Sequence, residues 1–141
     1  MRVAIVGGGI GGLAAALALQ APGREITIHE QAEALGDVGA GVQLSPNAVR
    51  ALRALGVEAA LASCVVAPAA IELRRARDDA LLIRSPLNRA GDAPYWHARR
   101  ADLQRVLAEA VEARGAAEVR LGERASPGDL RADLVVGADG V

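Results

Sequence analysis

The chain has no phenylalanine and no lysine, a single cysteine, and one tyrosine and one tryptophan, Tyr95 and Trp96. Each shortage excludes something. One cysteine, Cys64, cannot build a disulfide framework or a Cys-rich zinc site within one chain; it reads as a small buried residue. Without aromatic bulk, Ala, Val and Leu must fill the core. The hydrophobic content of 52% is high enough for a packed interior and argues against disorder. Every basic residue is Arg, and the net charge is −1. No basic excess is present to neutralise phosphates, which excludes a general nucleic-acid or membrane-surface binder. No apolar run approaches the ~20 residues of a membrane span. The apolar start runs straight into glycines without the cleavage pattern of a signal peptide. A soluble cytoplasmic protein, one domain or a piece of one, is the default reading.

What is present is a strand–glycine–helix opening. Arg2–Val6 is apolar and β-branched at Val3, Ile5 and Val6, which predicts a buried parallel strand. Gly11 to about Gln20 is rich in Ala and Leu and predicts a helix with a small-residue face, stopped by Pro22 and Gly23. Glu25 to Glu30 predicts the second strand of a βαβ start. Residues 31–44 read as irregular. Ser45 then serves as N-cap, with Pro46 first in a helix to about Leu55, and a short helix follows over Glu58 to Ala62. Ala69 to Arg77 and Ala80 to Ser85 predict two strands around Asp78-Asp79. Tyr95 to Ala98 adds a third strand, and together these form a small antiparallel patch apart from the βαβ layer. Ala101 to Arg114 repeats apolar residues at helical spacing (Leu103, Val106, Leu107, Ala110, Val111) and ends at Gly115. Glu118 to Leu121 and Leu134 to Val136 complete the strands.

The chemistry starts at Gly7-x-Gly9-x-x-Gly12. Gly7 lets the chain turn sharply out of the strand. Gly9 leaves room for a pyrophosphate to approach the backbone, and Gly12 lets the helix pack closely. The helix start offers unpaired N–H groups and a partial positive charge to a diphosphate. Glu30 stands at the end of the second strand, where a carboxylate can accept hydrogen bonds from both ribose hydroxyls of an adenosine and repel a 2′-phosphate. The loop and spacing suit NAD as well as FAD, and local physics does not separate them.

Three further stretches do. Gly39-Ala40-Gly41-Val42-Gln43-Leu44-Ser45-Pro46-Asn47-Ala48 with Leu52 and Leu55-Gly56, then Arg100-Ala101-Asp102-Leu103, then Ala132-Asp133-Leu134-Val135-Val136-Gly137-Ala138-Asp139-Gly140 follow in that order. With the N-terminal loop they resemble the single-component FAD monooxygenases, the family of salicylate hydroxylase and p-hydroxybenzoate hydroxylase. The resemblance implies an α/β fold: a Rossmann-like, glutathione-reductase-type parallel sheet with a small antiparallel patch. It implies FAD as cofactor and NAD(P)H as electron donor. The activity it implies is O₂-dependent hydroxylation of a small aromatic or related ring. Another FAD-dependent dehydrogenase, reductase or epoxidase, or a non-catalytic FAD-binding half-protein, stays open. Gly7, Gly9, Ile10, Gly11, Gly12, Glu30 and Gln31 would hold the nucleotide half. Arg100 would contact the phosphate and ribityl region, since a guanidinium fork offers several donors in one plane. Gly41, Val42 and Gln43 would lie near the isoalloxazine. The backbone at Arg124-Ala125 would flank the adenine, and Asp139 belongs to the family's Asp-Gly motif. Gln43 stands where relatives can carry a histidine that deprotonates substrate, and a glutamine cannot act as that base. His29 and His97 match no metal spacing and read as structural.

The resemblance also sets expectations about organisation. Residues 1–65 and 99–141 would form the Rossmann-like layer, and 66–98 the start of a substrate-side antiparallel sheet. Relatives carry several strands between the positions of Leu121 and Asp133, and only Gly122 to Ala132 fill that stretch here. The family's later Gly-Asp motif does not follow Asp139-Gly140 within these 141 residues. The expected chain is therefore a truncated FAD-binding part, without hydroxylase activity alone, completed by a C-terminal half or by dimerisation.

Overall fold

The computed structural model describes residues 1–36, 40–87 and 93–140. In chain order the elements are β1 (Arg2–Val6), α1 (Ile10–Leu19), β2 (Glu25–His29), β3 (Gly41–Leu44), α2 (Pro46–Ala54), α3 (Glu58–Ala62), β4 (Val65–Val66), β5 (Ala70–Arg74), β6 (Leu81–Pro86), β7 (Trp96–Arg99), α4 (Arg100–Ala113), β8 (Glu118–Arg120) and β9 (Leu134–Gly137). A 3-10 turn covers Pro127–Asp129. The chain divides into two compact units, Met1–Gly39 with Arg100–Val141, and Ala40–Arg99.

The first unit is built on a four-stranded sheet in the order β8-β2-β1-β9, with every described pairing parallel. The register places Val3 beside Ile26 and Leu134, and Ile5 beside Ile28 and Val136. Parallel strands covered on their faces read as near-continuous apolar runs, which is why β1 was legible as a strand. Ile5 and Ile28 are fully buried. Helices α1 and α4 pack against each other. The inward side of α1 carries Gly12, Leu13, Ala16 and Leu17, and that of α4 carries Leu103, Val106, Leu107 and Val111. Small side chains on α1 allow close approach of the two helices. At the open ends of the strands, Asp133 clamps β9 to β1: its Oδ2 accepts from the Arg2 N–H at 2.6 Å, and its own N–H donates to the Arg2 carbonyl at 2.9 Å.

The second unit holds two separate antiparallel sheets, a three-stranded one in the order β3-β7-β4 and the β5–β6 hairpin. This corrects two sequence expectations. Gly41–Leu44 is a strand, paired residue for residue with Trp96–Arg99, whereas residues 31–44 had read as irregular throughout. The third strand joins β3 and β4, not the hairpin. Residues 40–65 fall in the same compact unit as the later antiparallel strands. Pairing between segments more than fifty positions apart leaves no local periodicity to read. Ser45 does stand at the N-cap of α2 with Pro46 first in the helix, but its hydroxyl donates to Asn47 Oδ1 and makes no side-chain cap. Cys64 is half-buried, not buried, with its thiol on the Leu61 carbonyl at 3.2 Å. In the hairpin, Ile71, Leu73 and Ile83 share one exposed face, while Glu72 on the other meets Arg74 at 3.0 Å and Arg84 at 3.5 Å.

Leu107 has no solvent exposure. Leu107→Ala is expected to destabilise the chain by roughly 2–5 kcal/mol through lost transfer energy and a residual cavity. Urea unfolding followed by circular dichroism measures it.

Candidate functional site

The site forms where β1 ends. Gly7 adopts φ +106°, in the left-handed region that favours glycine. Its N–H donates to the His29 carbonyl at 2.8 Å, and the Ala138 N–H donates to the Val6 carbonyl at 2.7 Å. The loop is thereby held between the ends of β2 and β9. A Cβ on Gly7 would collide with the Ala138 carbonyl and reach 2.8 Å from the Asp139 nitrogen. A Cβ on Gly12 would collide with the Gly7 carbonyl and meet Ile5 Cγ2 at 3.3 Å. Both positions are closed by backbone. Gly9 differs: a Cβ there meets nothing within 4 Å. Gly9 is the N-cap of α1, at φ −73°, with no side-chain cap and no acidic residue in the first turn. The positive end of α1 is left to whatever occupies the space above Gly9.

That space is a hollow of about 720 Å³, large enough for a cofactor portion. Nine of the expected site residues line it: Gly7, Gly9, Ile10, Gly11, Glu30, Gln31, Arg100, Ala125 and Asp139. Gly12 lies beneath the loop and does not line it. Gly41, Val42 and Gln43 belong to the second unit, where Gln43 stands opposite His97 across the β3–β7 pair and its Oε1 accepts from the Tyr95 hydroxyl at 2.7 Å. His97 is exposed, so it fills no core. Its ring meets Tyr95 edge-on at 5.8 Å.

Glu30 is the most constrained group at the hollow. Its Oε2 accepts from the Gly8 N–H at 2.6 Å and its Oε1 from the Ala32 N–H at 2.8 Å. Each carboxylate oxygen keeps further lone-pair capacity for a hydroxyl donor. The backbone around it is tied on the other side, where the Glu30 N–H donates to Arg120 and its carbonyl accepts from Glu123, both at 2.9 Å. This strapping brings Glu123, Arg124, Ala125 and Ser126 to the wall of the hollow. His29, just before, is buried at 6% exposure. Its Nδ1 lies 3.4 Å from Glu123 Oε1, within ion-pair reach but without hydrogen-bond geometry. A second hollow of about 660 Å³ lies along β1, β2 and β8 between Arg2, Arg120 and Arg131 and Glu25, Glu118 and Glu123. Its charges are mixed in sign and no α-helix residue lines it, so it lacks the helix-start donors of the first.

Sequence reading placed Ala138 and Gly140 in a family motif without assigning them to the site, and missed Ser126; all three line the first hollow. Each follows the carboxyl end of a strand in the parallel sheet. In open α/β sheets ligands bind outside those ends, so strand order would have pointed to them. Strand order is itself not written in local sequence.

Comparison with known proteins fits this geometry. The chain matches the FAD binding domain family over residues 1–128 and belongs to it. It is 43% identical to the 3-amino-4-hydroxybenzoate 2-monooxygenase PtnB3 of Streptomyces platensis, over 99% of this chain and 39% of that protein. It is 38% identical to the 3-hydroxybenzoate 6-hydroxylase of Polaromonas naphthalenivorans (strain CJ2), over 89% of this chain and 32% of that one. Among solved structures, 2-methyl-3-hydroxypyridine-5-carboxylic acid oxygenase superposes with a TM-score of 0.85 at 29% identity, over 99% of this chain and 40% of that one. The chain thus spans about 40% of the length of the first of these relatives. Its expected α/β fold with a parallel sheet and small antiparallel sheets, and FAD as its cofactor, stand. No helix among the described residues is long and apolar enough to cross a membrane.

The two glycines make opposite predictions for folding. Gly12→Ala is expected to lower stability by at least ~1–3 kcal/mol, because the new methyl meets backbone that cannot step aside. Gly9→Ala is expected to leave the thermal midpoint within a degree or two of wild type. Differential scanning fluorimetry of the two variants side by side checks both.

Proposed function

We propose that the hollow at the end of β1 holds the ADP half of FAD. The diphosphate rests on the first-turn N–H groups of α1 at Gly9, Ile10 and Gly11. The adenosine ribose donates to Glu30 beside Gln31, and the backbone at Ala125 flanks the adenine. Arg100 supplies a guanidinium to the phosphate and ribityl region, and the turn at Asp139 completes the rim. Gly41, Val42 and Gln43 serve the isoalloxazine end. The observation that carries the reading is the open space over Gly9 at an uncapped helix start, with the Glu30 carboxylate anchored 2.6 Å from the adjoining Gly8 nitrogen. Open space over a glycine at an uncapped helix start, lined by backbone donors, fits a pyrophosphate.

In the whole protein this segment serves a cytoplasmic monooxygenase that hydroxylates a small aromatic ring, with NAD(P)H as electron donor and O₂ as co-substrate. When bound, FAD supplies the redox chemistry, taking electrons from the donor and activating oxygen. The named aromatic substrates of the relatives support this class and do not fix the ring. Residues 1–65 with 99–141 act as the cofactor layer and 66–98 as the start of the substrate side.

Purified and mixed with FAD, the chain is expected to turn yellow and bind one flavin per chain, read by absorbance and by quenching of flavin fluorescence. A protein that stays colourless and takes up no added FAD would falsify the reading. Gly9→Val is expected to remain folded and to weaken FAD binding at least tenfold by filling the cradle. Coupled hydroxylation is expected to be absent from the 141-residue chain alone, because water exclusion around the reacting ring needs a closed pocket. Product analysis by mass spectrometry with NADH or NADPH and a hydroxybenzoate checks that expectation.

A further inference from the structure

Gly8 is gripped from two directions. Its N–H donates to Glu30 Oε2 at 2.6 Å, and its carbonyl accepts from the Gln104 side-chain amide, Nε2 to O, at 3.2 Å. Gln104 stands on α4, almost a hundred positions away in the chain, and is partly buried. The Gly8–Gly9 peptide is planar and trans, since the described residues include no cis bond. In such a unit the carbonyl oxygen and the following N–H point in opposite directions. Turning the Gly8 carbonyl toward α4 therefore turns the Gly9 N–H away from α4. The Gly9 N–H has no acceptor among the described residues, and Gly9 lines the hollow with open space above it.

We propose that Gln104 is a positioning residue: by holding the Gly8 carbonyl, it aims the Gly9 N–H at the diphosphate. This rests on the reading that the hollow takes the ADP half of FAD. The division of labour across the loop then follows. The Gly8 N–H is spent on Glu30, the Gly8 carbonyl on Gln104, and the Gly9 N–H is reserved for ligand. A donor fixed in advance loses no orientational freedom on binding, which is where preorganised sites gain affinity. The Gln104 bond also polarises the peptide it touches and strengthens the N–H at its far end. A flexible glycine triplet would otherwise sample other peptide orientations.

Two variants test it. Gln104→Glu keeps the shape but sets an ionised carboxylate against the Gly8 carbonyl. Gln104→Leu removes the donor and keeps apolar bulk. Proton–nitrogen NMR of the cofactor-free chain follows the Gly9 amide, thermal melts report folding, and flavin fluorescence gives the FAD affinity. The expected result is a Gly9 amide resonance displaced in both variants, near-wild-type melting, and FAD binding weakened about tenfold, the loss of roughly one hydrogen bond to a charged group. Folded variants with an unmoved Gly9 amide overturn the proposal, whether or not FAD affinity changes, because a loss would then come from looser packing. A wild-type chain that takes up no FAD counts against the cofactor reading, and the Gly9 amide still decides the role of Gln104 by itself.

Discussion

The first unit depends on one close approach, the start of α1 against the loop that leaves β1. Gly12 stands against the Gly7 carbonyl with no room for a methyl group, and Gly7 likewise has none against the Ala138 carbonyl. Backbone cannot rotate aside as a side chain can, so the constraint is absolute in a way that core packing is not. Because it is met, β1 can lie between β2 and β9 with both partners parallel, and the three strands end together at one rim. The candidate cofactor hollow lies at that rim.

Once the strands end together, the polar groups there have few alternatives. Glu30 closes β2 and could have been a solvated carboxylate. Instead it accepts two backbone N–H groups, and its own backbone is bonded to the segment that follows β8. A carboxylate held by fixed donors lies in one place before any ligand arrives. The same economy governs the loop. Its first peptides are engaged by protein groups, and the helix start is left without a side-chain cap. An uncapped helix end is a cost to folding in an apo chain, and it becomes a gain when an anion supplies the missing acceptors.

The second unit shows a different balance. Its three-stranded sheet brings Gln43, Tyr95 and His97 together in a chain that is otherwise nearly free of aromatic side chains. The β5–β6 hairpin has a charged face with its ion pairs made and an apolar face open to solvent. A two-stranded ribbon is marginal by itself in water. Its apolar residues are therefore the part of the unit least explained by contacts within the chain.

The sequence by itself determined the β1–α1–β2 opening, the long helix α4 and the glycine-and-glutamate signature of an adenine dinucleotide site. Those features are local: a β-branched run, a helical repeat of Leu103, Val106, Leu107 and Val111, and three glycines at fixed spacing. The family followed because several short motifs occur in one order along the chain. Only the tertiary structure decided that Gly41–Leu44 is a strand, that Trp96–Arg99 pairs with it and not with the hairpin, and that Ser126, Ala138 and Gly140 share a rim with Gly9. It alone brought Gln104 to Gly8. Hydrogen bonds between distant segments depend on register and strand order, and a side-chain amide leaves no periodic trace of the carbonyl it will meet.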